Sequence, residues 1–304
     1  MFDLAIDIGG TKTLIAVFKE NESQPFATEK ISTLSDAGFE SFVERIVKVS
    51  TRLTGGSPIR RWGVCTAGAV NTTRGLLLWS PNLGWKNVDL YGVLSQEFGP
   101  AGFIENDCNA AAYGEWYVRP GTDLLGYVTV STGIGMGIVS EGRILHGSHC
   151  AAGEIGHTIV RPGGPQCTCG RRGCLQAIAG GRGLERVTQE KLGISLATEE
   201  IVNLSLIGDL RFKEIVSDAA DTLGRFVANI CDIIDPEILV IGGSLGRNDH
   251  YFRLVFESAM QAYYPLPGRD LKIELSSVTP SSNILGTLIL ARQYGGVLGG
   301  SESN

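Results

Sequence analysis

The chain has 304 residues, 43% of them hydrophobic and 19% charged, a globular balance that excludes a disordered protein and is long enough for two domains with their own cores. A net charge of −6 argues against broad binding to nucleic acid or anionic membranes, so any phosphate ligand has to be held by local groups. No apolar run approaches the ~18 residues of a membrane span and the N-terminus lacks signal-peptide order, which together predict a soluble, cytoplasmic protein.

Residues 4–8 and 13–18 are short apolar runs joined by Gly9-Gly10-Thr11-Lys12, which reads as a strand hairpin rather than a strand feeding a helix. Phe39, Phe42, Val43, Ile46, Val47 and Leu53 recur at helical spacing, and Gly55-Gly56 ends that helix before a strand at 62–66. A loop at 80–85 precedes a strand around Phe103-Ile104 and a helix over 109–116. Pro120-Gly121-Thr122-Asp123 marks a break, so one lobe is expected over 1–118 plus 284–304 and the other over 119–283. The second lobe opens on a strand at 127–131 that runs into Thr132-Gly133-Ile134-Gly135. Later, an apolar face from Ile215 to Ile234 predicts a long helix stopped by Asp235-Pro236, followed by a β-branched strand at 238–241 ending in Gly242-Gly243. A last helix is expected over 284–294, with a disordered tail from Gly295 onward, and no repeat at a solenoid period is visible.

Three glycine turns thus follow strands: Asp7-Ile-Gly9-Gly10-Thr11-Lys12, Thr132-Gly133-Ile134-Gly135 and Gly242-Gly243. Taken singly, each reads first as an ordinary tight turn; three together suggest cradles for one nucleotide, with backbone N–H groups binding phosphate without net positive charge. Neither the P-loop nor the dinucleotide fingerprint is present. Asp7, just ahead of its turn, is placed either to hold Mg²⁺ through water or to cap the turn. Asp107 stands between two readings, a general base for a sugar hydroxyl and a helix N-cap, while Asn106 offers the donor and acceptor that a hydroxyl needs.

His157, Cys167, Cys169 and Cys174 fall within eighteen positions, linked by Gly, Pro and Arg that leave no apolar face for inert thiols. That spacing points to a closed tetrahedral Zn²⁺ site of Cys₃His type. Glu154 and His157 are spaced i, i+3, so a metal on one ring nitrogen of His157 would leave the other for a substrate bond, whereas Glu154 alone reads as a solvated carboxylate. Cys65, Cys108, Cys150 and Cys231 sit singly among apolar or small residues and read as reduced core thiols.

These segments together resemble the ROK family of bacterial sugar kinases and sugar-responsive repressors over nearly the whole chain. Asp7-Ile-Gly-Gly-Thr-Lys12 is similar to the family's first phosphate motif, Thr132-Gly-Ile-Gly135 to its second, and Glu154-Ile-Gly-His157 with Cys167-x-Cys169-Gly-x-x-Gly-Cys174 to its sugar and zinc signature. The resemblance implies a two-lobed α/β actin-like ATPase fold (ribonuclease H-like) with a zinc-binding loop, commonly homodimeric; that no nucleic-acid or membrane partner is expected follows from the acidic charge balance and the lack of a long apolar run. It further implies ATP with Mg²⁺, Asp107 as the base, Asn82, Asn106, Glu154, His157 and Gln176 at the sugar, structural zinc on His157, Cys167, Cys169 and Cys174, and Gly242-Gly243 beside the adenosine. Two residues depart from the family pattern: Gln176 stands where the family usually has Glu near the anomeric end, and Met136 where it often has Gly. The expected activity is phosphorylation of the 6-hydroxyl of a hexose, glucose first, with N-acetylmannosamine the nearest rival. A repressor would need a helix-turn-helix ahead of the first strand, and a nucleic-acid-binding zinc module would need a basic chain; neither fits.

Overall fold

The computed structural model describes residues 1–279 and 281–296, which divide into two compact units. One comprises Met1–Pro120, His146–Ala151 and the described residues from Val278 onward; the other comprises Gly121–Leu145 and Ala152–Ser277. Among the described residues no helix is long and apolar enough to cross a membrane.

The first unit is built on β1 (Phe2–Ile8), β2 (Lys12–Lys19), β3 (Ala27–Ser32), β4 (Ile59–Thr66) and β8 (Gly102–Asn106), in the order β3-β2-β1-β4-β8. The first three strands form an antiparallel meander, whereas β4 and β8 run parallel to β1. Alternation along β1 assigns its two faces. Leu4, Ile6 and Ile8 pack with Phe42 and Ile46 of α1 (Phe39–Thr54) and with Leu90 and Leu94 of α2 (Leu90–Phe98), while Asp3, Ala5 and Asp7 face the other way. The glycine pair stops α1 as expected: Gly55 turns left-handed (φ 60°) and Gly56 N–H closes onto the Thr51 carbonyl. A small antiparallel sheet of β5 (Ala69–Asn71), β6 (Leu76–Ser80) and β7 (Trp85–Asp89), whose short strands carry no clear alternation, adds to the predicted elements; the expected loop shrinks to the turn 81–84. From β8 the chain enters α3 (Asp107–Tyr117), two residues earlier than predicted.

The second unit repeats that topology. Its strands β9 (Leu124–Val130), β10 (Ile134–Ser140), β11 (Arg143–Ile144), β12 (Ile238–Gly242) and β13 (Lys272–Leu275) take the order β11-β10-β9-β12-β13, again a meander with two parallel strands added beside its first member. Around it lie α4 (Leu175–Ala179), α5 (Gly181–Leu192), α6 (Thr198–Leu206), α7 (Leu210–Ile234) and α8 (Asp249–Ala262). The apolar face of α7 enters the core as predicted, and the helix ends at Asp235, held left-handed at φ 48° before Pro236. Met136 is a core residue of β10, and its backbone N–H bonds the Gly153 carbonyl at 2.9 Å.

The chain then returns to the first unit in α9 (Ser282–Tyr294), which covers the face of β1 opposite α1 through Ile284 and Leu288. Its crossing with α3 leaves no room for side chains: a Cβ on Gly286 would lie 1.7 Å from the Ala110 carbonyl oxygen, and one on Gly114 would lie 2.3 Å from that of Ser282. Of the glycine-rich tail, Gly295 and Gly296 form a turn and the remainder lies outside the described residues. Gly286→Ala should therefore lower stability by about 1–3 kcal/mol or more, as overpacking does. Urea unfolding measures it, and an unchanged midpoint would contradict this packing.

Candidate functional site

Asp7, Cys65 and Glu105 are register partners across β1, β4 and β8, so the first unit gathers its chemistry where three parallel strands end. Beyond Asp7 the 9–12 turn closes through Gly9 N–H to the Lys12 carbonyl at 3.0 Å. Thr33 ties that turn to the end of β3 by donating its N–H to the Thr11 carbonyl at 2.9 Å and its hydroxyl to the Gly9 carbonyl at 2.7 Å. Gly10 packs on Asn82, whose Cβ would be 2.9 Å from a Cβ added there, so the 9–12 turn and Asn82 are neighbours. Thr11 and Lys12 are exposed.

The junction of β8 and α3 fixes which residue caps the helix. The N-cap is Asn106: its Oδ1 accepts from Cys108 N–H at 2.8 Å and from Asn109 N–H at 3.1 Å. Asp107 is instead the first helical residue, and one of its oxygens accepts from the next N–H, Cys108, at 2.9 Å. The competing structural role for Asp107 is thus taken by its neighbour. Asn106 is correspondingly engaged, since one of its amide N–H groups donates to the Gly68 carbonyl at 3.0 Å.

Asp7 points to the α9 face of β1, as alternation requires. Burial there, together with the negative charge of Asp107, pushes its carboxyl up to about 7, against opposing bonds from Cys65 and Asn283 and the charge of Lys30. A buried carboxyl raised in part by a neighbouring acidic charge is one whose ionisation a divalent cation would favour. Asn283 was not singled out in the sequence; it lies at the start of a helix predicted only as a core element.

In the second unit the turn after β9 spans 131–133, with Ser131 N–H bonded to the Gly133 carbonyl, and Ile134 and Gly135 already belong to β10. That corrects the four-residue turn expected there: pairing of Ile134 with Val130 captures both residues into the hairpin. Gly242 is likewise the last residue of β12, and Gly243 (φ 84°) fits only because a Cβ would come within 2.4 Å of the Val130 carbonyl oxygen. Tight packing against β9 accounts for this glycine pair without any ligand.

Glu154 precedes a single 3₁₀ turn, Ile155–His157, that brings its carboxylate to 3.9 Å from His157 Nε2. The other ring nitrogen, Nδ1, faces the cysteines, 3.7 Å from Cys167 Sγ; Cys169 and Cys174 sulfurs are 3.7 Å apart, and the four donor atoms all lie within 4.8 Å of one another. A tetrahedron with metal–sulfur bonds of about 2.3 Å has edges of about 3.8 Å, so the donor set fits such an ion. Gly173 (φ 77°) makes the knuckle possible, since a Cβ there would stand 1.7 Å from the Arg161 carbonyl oxygen. Packing three thiols together splits their acidities. Burial pushes Cys174 up to about 12, whereas N–H groups of Arg171, working against burial, hold Cys169 down at about 6. Arg171 carried no sequence signal beyond its place inside the knuckle.

Gln176 donates from its amide to Cys167 Sγ and Thr168 Oγ1, both at 3.4 Å, and its oxygen lies against Gly133 and Gly156. It therefore links the cysteine knuckle, the Glu154–His157 turn and the Thr132–Gly133 turn. Of the remaining thiols, Cys65 and Cys231 are fully buried, but Cys108 and Cys150 are only half-buried, a correction to the core placement expected from their apolar and small neighbours.

A family model described as the ROK family matches residues 3–294. The chain is similar to a glucokinase of Thermotoga maritima, with 30% identity over 96% of this chain and 98% of that one, and to an N-acetylmannosamine kinase of Escherichia coli, with 34% identity over 84% and 87%. Among solved structures it is similar to a ROK family glucokinase from Streptomyces griseus in complex with glucose and AMPPNP, at a TM-score of 0.82 and 26% identity, covering 96% of this chain and 100% of that one. This chain belongs to the ROK family, and its fold is the actin-like ATPase fold that the sequence implied.

The raised carboxyl of Asp7 has a stability consequence. Its folded value, about 7, exceeds its ordinary value of 3.8, so the stabilisation it contributes is complete below pH 4 and is lost as pH rises through 7. In metal-free buffer, Asp7→Asn should melt higher than the wild type at pH 8 and no higher at pH 4. Differential scanning calorimetry across that range tests this; a pH-independent difference would refute it.

Proposed function

We propose, from that family membership, that the protein is an ATP-dependent kinase that phosphorylates the 6-hydroxyl of a hexose, with glucose the first candidate and N-acetylmannosamine the second. The observation carrying the proposal is the cap exchange at the β8–α3 junction. Because Asn106 caps the helix, the carboxylate of Asp107 serves as the base that takes the proton of the attacking hydroxyl. As that hydroxyl oxygen bonds to the γ-phosphorus, the bridging P–O bond breaks and ADP leaves. Bound Mg²⁺ would neutralise charge on the transferred phosphoryl group, and Asp7 would hold it through water. Gly9, Gly10, Thr11 and Lys12 in one unit, and Thr132, Gly133 and Gly135 in the other, would bind phosphate, with Gly242 and Gly243 beside the adenosine.

Sugar hydroxyls would be held by Asn82, Asn106, Asp107, Glu154 and His157, with Gln176 near the anomeric end. Zinc on Cys167, Cys169, Cys174 and His157 Nδ1 would be structural, fixing the ring so that Nε2 remains beside Glu154 as a hydroxyl partner. An amide at 176 donates to a thiolate that a carboxylate would repel, which suits this chain's knuckle.

An ADP-release assay with glucose, mannose, N-acetylmannosamine, N-acetylglucosamine, fructose and allose tests the class. At least one sugar should stimulate release, and Asp107→Asn should cut kcat by roughly 10²- to 10⁴-fold. Stimulation by none of them would remove the kinase reading, whereas a fully active Asp107→Asn would remove only the base. For the metal, mass spectrometry of the purified protein should find equimolar zinc that Cys169→Ser loses together with thermal stability; a metal-free wild type of full stability would end the zinc assignment.

A further inference from the structure

Glu105 is almost wholly buried, at 1% exposure, and it is not among the residues assigned above to sugar, phosphate or metal. Its two oxygens have separate tasks. Oε1 accepts from Asn106 N–H at 2.7 Å and from the Asn109 side-chain amide at 3.0 Å, the two residues that flank Asp107 on the strand and on the first turn of α3. Oε2 is bonded by His146 Nε2 at 2.7 Å and by the Thr72 hydroxyl at 3.3 Å. His146 belongs to the short segment His146–Ala151, which packs with the first unit although the residues on both sides of it belong to the second.

We propose that His146 is a positioning residue for the phosphoryl-transfer base, holding Glu105 so that Glu105 in turn braces Asn106 and Asn109 on either side of Asp107. The proposal rests on the kinase reading. A buried carboxylate is tolerated only with its lone pairs met by donors, and His146 is the closer of the two donors on Oε2. The bond to Glu105 also raises the proton affinity of His146 against the opposing effect of burial, which favours the charge-assisted form of the pair. Removing the imidazole leaves Oε2 with the longer Thr72 bond alone. The carboxylate can then rotate toward other donors, and the Oε1 bonds that fix the flanks of Asp107 lengthen. The α3 cap is made by Asn106 Oδ1, an atom that Glu105 does not touch, so the helix persists while the base moves.

The effect is a loss of kcat without a loss of nucleotide binding, because misplacing a reacting group by even an ångström costs up to about 100-fold in rate. With the best sugar, His146→Ala should lower kcat between about 10- and 100-fold at an unchanged KM for ATP. His146→Gln, whose amide N–H can take the place of Nε2–H, should recover most of that loss. In a Glu105→Gln background, His146→Ala should have no further effect, since the two residues act through one bond. Wild-type kcat in His146→Ala, or fully additive losses in the double variant, would overturn the proposal. If His146→Ala does not fold, His146→Leu, which fills the space without a donor, alone and with Glu105→Gln gives the same coupling. A wild type with no sugar-dependent ADP release would bring down the kinase reading and this proposal with it; an active wild type indifferent to position 146 brings down this proposal alone.

Discussion

A single backbone requirement organises the first unit: the leading N–H groups of α3 must be satisfied where the helix leaves the sheet. Asn106 satisfies two of them with one oxygen. Asp107 also accepts from the Cys108 N–H, at 2.9 Å. Because the cap lies one residue earlier, Asp107 begins the helix at the edge of a parallel sheet whose neighbouring strand ends place Asp7 and Glu105 around it. The three acidic groups then meet different fates. Glu105 is surrounded by donors, Asp7 resists ionisation through burial and the Asp107 charge, and Asp107 holds the Cys108 N–H on one oxygen.

The sheets explain why this arrangement can exist. Each unit places a meander first and adds two parallel strands beside its first member, so the parallel strands end together on one edge. In open α/β sheets that edge is where ligands bind, because helices begin there with unmet N–H groups and loops have room to vary. Strands β1 and β9 are the central members and carry the glycine turns at their ends. Glycine serves different needs at these turns. At Gly10 and Gly133 it makes space for the side chains of Asn82 and Gln176, and at Gly243 it yields to the Val130 backbone.

The cysteine knuckle follows a different logic. Three thiols and an imidazole lie within 4.8 Å, and their surroundings set two of the thiols apart: burial raises Cys174, whereas Arg171 N–H groups, working against burial, hold Cys169 down. A tetrahedral dication would take all four donors at once. Gln176 reaches from this knuckle to the Gly133 turn, so the four-donor cluster and that glycine turn share one side chain.

Much of this was open to reading in the amino-acid sequence, since short-range periodicity and spacing record local physics. The β1–β2 hairpin, the glycine stop of α1, the apolar face of α7 and the donor set of the knuckle depend on neighbours within a few residues. The small sheet β5–β7, the capture of Ile134 and Gly135 into β10 and the half-exposure of Cys108 and Cys150 depend on packing partners far along the chain, so no local pattern announced them. For the same reason Asp107 could be read as cap or base: both roles use the same residue at the same helix start. The folded backbone fixed only the cap, by bringing Asn106 Oδ1 within 3.1 Å of two open N–H groups and leaving Asp107 as the first residue of α3. Likewise, His146 and Glu105 stand 41 positions apart, and only the return of the 146–151 segment onto the first unit places an imidazole on that buried carboxylate.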